Sequence, residues 1–168
     1  MSLSMYAATV PVFVRTLGNL SAILKKAEAD ATARGYDPTI LVNARLAPDM
    51  LPLARQVQIA SDSAKGCVAR LAGVEAPVMA DNETTIAELI ERVAKTVAFL
   101  HTVQAAQIDG SEEREIVLKM RGNEVKFQGQ PFLLHFALAN FFFHTTTAYA
   151  ILRHNGVALG KSDFLGAA

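Results

Sequence analysis

Apolar residues recur at steps of three and four along the first part of the chain, which is typical of a helix that buries one face. This first helix is predicted from about Met5 to Arg34, with Gly35 as its left-handed cap. Pro11 lies inside it, so either the helix kinks there, or Pro11 sits in the first turn and the preceding residues form a separate one. The apolar stripe consists of Tyr6, Val10, Phe13, Leu17, Leu20, Leu24, Ala27 and Ala31.

A second helix with the same spacing follows a loop over residues 36–47. Pro48 and Asp49 are expected to open it, since proline and a negative charge both favour a first turn. Gly73 is expected to end it. Its stripe consists of Met50, Leu53, Val57, Ala60, Ala64, Cys67 and Leu71.

A third helix is predicted after a connection over residues 75–84. Thr85 and Glu88 have the spacing of a capping box, immediately before another periodic run. We expect this helix to end near Asp109 and Gly110. Its stripe consists of Ile86, Leu89, Val93, Val97, Leu100 and Val103.

The pattern then changes from helical to alternating. Polar and apolar residues alternate in part over residues 115–120 and 124–127, around Arg121-Gly122-Asn123. This favours a short β-hairpin. A two-stranded hairpin alone is marginal in water, so we expect it to pack beside the helices.

The last helix is predicted from Gly129-Gln130-Pro131 to His154, with Asn155-Gly156 as its stop. Within it, Phe141, Phe142 and Phe143 point about 100° apart, so one helix face cannot hide all three. Either this helix is central or part of it meets another subunit, and we favour a homodimer. In the tail, over residues 157–168, we expect Phe164-Leu165 to dock on the surface.

Composition narrows the class of protein. The 168 residues suit one domain over 1–168, and 51% are hydrophobic, so a thick core or a subunit interface must bury apolar surface. Lys plus Arg equals Asp plus Glu at 16 each, which argues against a nucleic-acid or polybasic membrane partner. The lone Cys67, with no secretory signal and no bilayer-length apolar run, predicts a soluble, cytoplasmic protein.

The histidines lack the spacing of a metal site on helices. His135 and His144 are nine residues apart, about half a turn after whole turns are removed, and so face opposite sides. His144 and His154 lie roughly 80° and about 15 Å apart. The sequence contains no HxxxH, HExxH or ExxH pair.

Two other pairs of polar residues share a helix face at a spacing of four. Asn140 and His144 form one pair, and the simplest interpretation of His144 is a partly buried histidine hydrogen-bonded inside the bundle. Gln58 and Asp62 form the other, where they either line a cavity between helices or face water. Cys67 lies on the apolar stripe and is interpreted as a buried small hydrophobe.

Two blocks of sequence resemble an uncharacterised bacterial and fungal family of unknown function, and the resemblance covers nearly the whole chain. That family is similar to the DinB-like superfamily of four-helix bundles, which includes metalloenzymes. The first block is Arg45-Leu46-Ala47-Pro48-Asp49-Met50 with Gln56-Val57-Gln58-Ile59-Ala60, Asp62 and Ala64-Lys65. The second is His144, Thr147-Ala148-Tyr149, Leu152-Arg153, Asn155-Gly156-Val157, Gly160-Lys161 and Asp163-Phe164-Leu165-Gly166.

The resemblance implies an up-down-down-up bundle with a long crossover, usually dimeric. Typical members bind a divalent metal through one histidine on the second helix and an HxxxH pair on the fourth, and some relatives are thiol-dependent transferases. Carried over, the second-helix position falls on Gln58 and the fourth-helix pair on Asn140 and His144. One of the three is a histidine, so the resemblance supports the fold more strongly than the activity.

We therefore expect an all-α, DinB-like four-helix bundle, up-down-down-up, with a short β-hairpin before the last helix. The leading hypothesis for function is a dimeric bundle that binds an unknown small molecule and lacks the usual three-histidine metal site. We predict no specific cofactor and keep a bound divalent metal as an alternative. The central cleft is predicted to be lined by Gln58, Asp62, Asn140 and His144.

Two alternatives belong to other functional classes. One is a metal-assisted or thiol-dependent transferase with a degenerate site, in which His144 is a ligand or general base because imidazole titrates near neutral pH. The other is a structural or stress-response protein that binds partners through its aromatic fourth helix.

Overall fold

The structure, a computed structural model, describes residues 3–120 and 122–166. It is mostly helical, with one small antiparallel hairpin between two groups of helices. The first group is α1 (Val10–Arg34), α2 (Thr39–Asn43), α3 (Leu53–Ala72), α4 (Ile86–Thr102) and α5 (Ala105–Ile108). The hairpin, β1 (Glu115–Met120) and β2 (Asn123–Gln128), is followed by α6 (Gly129–Pro131), a π-helical segment (Phe132–Ala137), α7 (Leu138–His154) and α8 (Lys161–Leu165).

Four long helices share one hydrophobic core in the described part of the chain. Helix α1 packs against α4 and α7, and α3 packs against the same two helices. Phe13 of α1 and Phe141 of α7 meet at its centre, with ring centroids 4.8 Å apart and edge to face. The three apolar stripes therefore identify the buried faces, because all their members except Tyr6, Met50 and Val97 are buried.

Helix α1 begins at Val10, with Pro11 in its first turn. Of the two alternatives for Pro11, the separate preceding turn is confirmed, since residues 5–9 form turns before the helix. The helix ends at Gly35, whose φ of 72° lies in the left-handed region and whose N–H bonds to the carbonyl oxygens of Ala31 and Thr32. This is the glycine cap that the sequence indicates.

Helix α3 begins later than predicted. It starts at Leu53, after Pro52 in an extended conformation, and the expected opening at Pro48 and Asp49 is wrong. Pro52 already provides the fixed φ and the missing N–H that a helix start tolerates. The preceding loop also contains the short helix α2, which the sequence did not indicate.

Helix α4 begins as predicted and ends earlier. Thr85 and Glu88 form the capping box, with each side chain bonded to the backbone of the other. The helix ends at Thr102, and the chain turns at Val103 before the short α5, so the expected end near Asp109 is wrong.

The hairpin packs one half-buried face beside the helices, as expected. Ile116 pairs with Phe127 and Leu118 with Val125, so these four side chains share a face. Arg121, part of the predicted turn, lies outside the described residues.

The last helical region runs from Gly129 to His154, as predicted, but residues 132–137 are π-helical. The apolar run over these residues is equally compatible with an α-helix, so the sequence carries no signal for this change. Phe141 is fully buried whereas Phe143 is 57% exposed, which confirms that the helix cannot hide all its phenylalanines.

The tail folds back as α8 onto α1. Phe164 contacts Tyr149 with ring centroids 6.1 Å apart, which confirms the expected docking of this residue, whereas Leu165 is 53% exposed and its expected docking is wrong. Residues 167–168 of the predicted tail lie outside the described residues. Within residues 3–120 and 122–166, no helix has the length and apolar character needed to cross a membrane.

Candidate functional site

A groove opens where α3, the hairpin and the π-helical segment meet. We call it the α3–hairpin groove, and its volume is about 130 Å³. Helix α3 forms its floor, the hairpin closes one end, and the start of the last helical region forms its wall. Its lining residues are Asp62, Ser63, Cys67, Arg70, Leu118, Phe132, Phe136, Ala137 and Asn140.

The wall of the groove is aromatic. The rings of Phe132 and Phe136 are stacked, with centroids 6.0 Å apart and an interplanar angle of 22°. Phe127 of β2 supports both rings from behind, at 5.5 Å from Phe136 and 6.0 Å from Phe132. The three rings hold one another in place, and π-helical turns of this kind are frequent at functional sites.

The floor of the groove carries polar groups from two helices. Asn140 Nδ2 donates a hydrogen bond to Ser63 Oγ at 2.7 Å. This bond leaves the Ser63 hydroxyl proton and the Asn140 carbonyl oxygen for a further partner. Asp62 lies five residues before Cys67 on α3, at the edge of the same groove.

Cys67 forms part of the inner surface. Its side chain is 1% exposed, and burial raises the pKa of the thiol to about 12, although the positive charge of Arg70 opposes that rise. Because the thiol stays protonated at neutral pH, it lacks the thiolate that a nucleophile needs. The interpretation of Cys67 as a buried small hydrophobe is confirmed.

Arg70 lies at the rim, between the groove and a second cavity. This outer pocket has a volume of about 380 Å³ and is lined by Asp62, Lys65, Gly66, Ala69, Arg70, Val74 and Ala76. Arg70 is exposed, and among the described residues its guanidinium takes part in no hydrogen bond or ion pair. Its Nη1 atom lies only 2.5 Å from where a Cβ would stand on Gly66.

On the other side of Asp62, Arg92 of α4 is the centre of an ionic cluster. Its side chain is 1% exposed. Nη2 contacts Asp62 at 2.8 Å and Asp81 at 3.0 Å, while Nη1 donates to Glu83 at 2.9 Å and to the Ala80 carbonyl at 3.0 Å. Its Nε is buried without a partner among the described residues.

Further polar residues complete this Arg92 network, which consists of Arg55, Gln58, Asp62, Lys65, Asp81, Glu83 and Arg92. Arg55 Nη1 contacts Asp81 at 2.6 Å, and Lys65 Nζ contacts Asp62 at 3.0 Å. Three cations therefore meet three carboxylates. The network ties the connection between α3 and α4 to both helices.

The network holds Asp81 and Glu83 in the charged form. A hydrogen bond from Arg55 lowers the pKa of Asp81, with Arg92 adding to the effect. Burial would raise the pKa of Glu83, but the hydrogen bonds from Arg92 and Gln58 outweigh it, so the pKa is lowered. Carboxylates stabilised in this way favour the folded state above their ordinary pKa.

Gln58 belongs to the Arg92 network. It is 2% exposed, so the alternative that it faces water is wrong. Its Oε1 accepts from Arg55 at 2.7 Å and its Nε2 donates to Glu83 at 2.7 Å. Both ends of the amide are thus occupied within the protein.

His144 lies in the interface between α3 and α7, where Gln56 is its partner. The distance from His144 Nδ1 to Gln56 Oε1 is 2.7 Å, and His144 is 9% exposed. Burial lowers the pKa of the imidazole from its ordinary 6.5, so it is neutral at neutral pH. The interpretation of His144 as a hydrogen-bonded histidine inside the fold is confirmed.

The four residues predicted to share one cleft fall in three places. Asp62 and Asn140 both line the α3–hairpin groove, and Asp62 also belongs to the Arg92 network together with Gln58. His144 pairs with Gln56, which is two residues from Gln58 and therefore about 200° around α3. The structure thus joins Gln58 to Asp62 and Asp62 to Asn140, and places His144 elsewhere.

The residues at the positions expected to bind a metal do not fit one. Gln58 and Asn140 offer neutral amide oxygens, which are poor ligands for transition metals, and both amides already make hydrogen bonds within the protein. Over residues 3–120 and 122–166, no three His, Cys, Asp or Glu side chains are grouped to hold an ion.

Most residues of these clusters were not singled out by the sequence as site residues, and Arg92, Gln56 and Arg70 are among them. Arg92 is three residues after Leu89 and eight before Leu100, so a charge stands on the buried stripe of α4. That spacing is a signal for a buried ion pair. Gln56 and Arg70 carry no such signal.

Comparison with known proteins identifies the family. No curated protein matches the chain. The crystal structure of a DinB family member protein from Shewanella denitrificans is similar over 97% of this chain and 92% of that chain, with 44% sequence identity and a TM-score of 0.87. The family model described as "Domain of unknown function (DUF1993)" matches residues 5–165. The chain therefore belongs to the DUF1993 family, a domain of unknown function with a DinB-like fold.

Proposed function

We propose that this protein binds a small molecule in the α3–hairpin groove. The observation that carries the proposal is the combination of a stacked aromatic wall with polar groups on the floor of one concave site. Small-molecule sites are mostly apolar surfaces with a few placed polar groups. Asp62 and Asn140, two of the residues expected in a ligand cleft, belong to this lining.

The test is to fill the groove with a side chain of the protein itself. Ala137 is buried and lines the groove, whereas Ala139 is two residues away and exposed. We expect monocyclic aromatic and aliphatic compounds to shift the backbone NMR signals of groove residues in the wild type and in Ala139→Leu. In Ala137→Leu these shifts are lost, because leucine occupies the space.

Ser63→Leu guards against a folding defect in Ala137→Leu, because it fills the same groove from α3 on the opposite side. Loss of the shifts in both filling variants, with retained circular dichroism, supports the proposal. If no compound shifts groove signals in the wild type, or if the shifts persist in both variants, the groove is not a ligand site.

We also propose that the four long helices form a bundle in up-down-down-up order. Contacts between residue pairs support this, because they report whether two helices run in the same direction. Residue numbers rise together between α3 and α4 and between α1 and α7, and rise in opposite directions between α3 and α7. The pairs are Gln58 with Glu83 and Asp62 with Arg92, Phe13 with Phe141 and Arg34 with Asn155, and Gln56 with His144 and Ser63 with Asn140.

We further propose a homodimer that associates through the surface of α7 around Phe143. Its support is the 57% exposure of this large apolar side chain. Sedimentation velocity tests it: we expect a dimer that Phe143→Ser converts to a monomer, whereas Leu134→Ser, also exposed and apolar, leaves it intact. A wild-type monomer contradicts the proposal.

Finally, we propose that residues 1–168 act as one domain in the cytoplasm. One cluster of buried apolar residues extends from Met5 to Leu159, which supports a single domain. The lone, buried Cys67 supports a compartment in which disulfides are rare.

A further inference from the structure

Resting on the proposed function, we propose that the ligand is a monocyclic aromatic carboxylic acid whose carboxylate is bound by Arg70. Its ring would lie against Phe136, and its carboxylate would point to the rim of the α3–hairpin groove. Support for this ligand has four parts, which are the charge of Arg70, its position, the charge of its neighbour Asp62 and the size of the groove.

The first part is the unpaired charge of Arg70. In the described chain its guanidinium has no acceptor, although five N–H groups are available. A planar guanidinium binds a carboxylate through two parallel hydrogen bonds, and such charge-assisted pairs are stronger than neutral ones. Arg70 lines both the groove and the outer pocket, so an anion at the rim can reach it from either cavity.

The second part is the position of Arg70 over a glycine. Gly66 lies in the middle of α3, where glycine is less favourable than alanine. The Arg70 guanidinium occupies the space of the missing side chain, and no other group lies within 4 Å of it. Gly66 weakens α3, but its missing side chain lets the Arg70 guanidinium lie close to the helix, beside the groove.

The third part is the neutralisation of Asp62. This carboxylate lines both cavities and would repel an anion if it stood alone. Arg92 contacts it at 2.8 Å and Lys65 at 3.0 Å. With Asp62 compensated in this way, the positive charge of Arg70 dominates at the rim.

The fourth part is the size and surface of the groove. Its volume of about 130 Å³ is close to that of an apolar cavity of about 150 Å³ that holds benzene. Aromatic rings prefer offset-stacked or edge-to-face contacts, which the half-buried Phe136 offers to a single ring, while the buried Phe132 holds Phe136 in place. One ring with a short acidic arm therefore matches both the space and the charge.

The experiment compares phenylacetate with phenylacetamide, which has nearly the same shape without the charge. Both are titrated at pH 7 and followed by backbone NMR signals of the groove. We expect phenylacetate to bind the wild type at least about tenfold more tightly, because a hydrogen bond to a charged group contributes that much.

Two variants test Arg70 in different ways. Arg70→Gln removes the charge, so both compounds are expected to bind with the affinity of phenylacetamide. Gly66→Ala keeps the charge but displaces the guanidinium. We expect it to weaken the binding of phenylacetate several-fold and to leave the binding of phenylacetamide unchanged.

Each variant has a matched control. Gly18→Ala is the same change in the exposed middle of α1, where nothing lies within 4 Å. Lys95→Gln removes one positive charge outside the groove, where Lys95 pairs with Glu91 at 2.8 Å. Both controls are expected to keep the tenfold preference.

Four results would overturn the proposal. Equal binding of the two compounds at the groove would show that charge is not recognised, while small-molecule binding itself would stand. Inorganic phosphate binding as tightly as phenylacetate would show a site for bare anions. If neither aromatic compound binds while other compounds shift groove signals, the ligand class is wrong, and if nothing does, the groove is not a ligand site.

Discussion

Arg92 on α4 and Arg70 on α3 belong to neighbouring helices, yet the first is buried and the second is exposed. Arg92 is 1% exposed, and its two Nη atoms contact four oxygen atoms. Arg70 is exposed and has no partner among the described residues. Both lie near Asp62, which contacts Arg92 directly and shares two cavities with Arg70.

The difference separates a charge that maintains the fold from one that is available to a ligand. A buried guanidinium is tolerated when its charge is compensated by nearby carboxylates, as the charge of Arg92 is through its two Nη atoms. An exposed one keeps its hydration and contributes little to stability. The Arg92 network therefore belongs to the architecture, and the α3–hairpin groove to recognition.

The largest expected effect is on stability. Arg92→Ala leaves Asp62, Asp81 and Glu83 without their shared cation, and we expect it to destabilise the protein by about 3 kcal/mol, the lower end for a broken buried pair, since two of these carboxylates are partly exposed. Arg70→Ala is the matched change, expected to alter stability by less than about 0.5 kcal/mol. Urea unfolding measures both, and equal losses would contradict the comparison.

The next effect is the response to acid. The pKa values of Asp81 and Glu83 are lowered in the folded protein from ordinary values of 3.8 and 4.5. The unfolded chain therefore binds protons first, so the stability is fully present above about pH 5 and is lost as the pH falls through this range. We expect urea midpoints to fall from pH 6 to pH 3 in the wild type and in Arg70→Ala.

The fall should be shallower in Arg92→Ala, because that variant lacks the main cation that lowers the pKa of Glu83. Glu88 also has a lowered pKa, from the capping box, and keeps its contribution in all three proteins. The same slope in all three would show that the network does not determine acid stability.

A smaller effect of opposite sign is expected at Gly66. Gly66→Ala should stabilise the protein by up to about 1 kcal/mol, since alanine is the better helix former and the added methyl meets only the flexible end of Arg70. Gly18→Ala should give a similar gain. A loss of stability in Gly66→Ala alone would show that the position of Arg70 maintains the fold.

The smallest effect concerns His144, which has one polar partner, Gln56, among the described residues. Its pKa is lowered by burial from 6.5, so the unfolded chain takes up the proton more readily as the pH falls. Stability is fully present above about pH 6.5 and is partly lost below it.

Urea midpoints at pH 7.5 and pH 5.5 test this. The decrease seen in the wild type should diminish in His144→Gln and persist in His135→Gln, because His135 is exposed. If His144→Gln keeps the full decrease, burial of His144 is not its cause.

The helices could be predicted from the sequence because burial requires a regular spacing of apolar residues. The stripe that contains Phe13, Leu17 and Leu24 is buried throughout α1, and the glycine caps end α1 and α3 where expected. The start of α3 was misplaced because two prolines, Pro48 and Pro52, both suit a helix start. The π-helical segment could not be predicted, since its apolar residues are equally compatible with an α-helix and a π-helix.

The candidate site was predicted only in part, since its contacts join residues far apart in sequence. Asp62 and Asn140 were identified from their helix faces, and both line the groove. The position of Arg70 depends on the empty space over Gly66, and the partner of His144 depends on how α3 and α7 pack. Spacing along one helix brings Gly66 and Arg70 to the same face at i and i+4, but it does not determine the partner of His144.

The connection between α3 and α4 has no regular secondary structure over residues 74–82, yet we expect its natural variation to differ from that of ordinary loops. At Pro77 and Ala80 the cations contact main-chain carbonyl oxygens, which any residue supplies. At Asp81 and Glu83 they contact carboxylates, so few other residues can serve. Val78 is 98% exposed and free to change, so unconstrained positions come first and the constrained Asp81 and Glu83 follow, in a segment that by its conformation alone would pass as a surface loop.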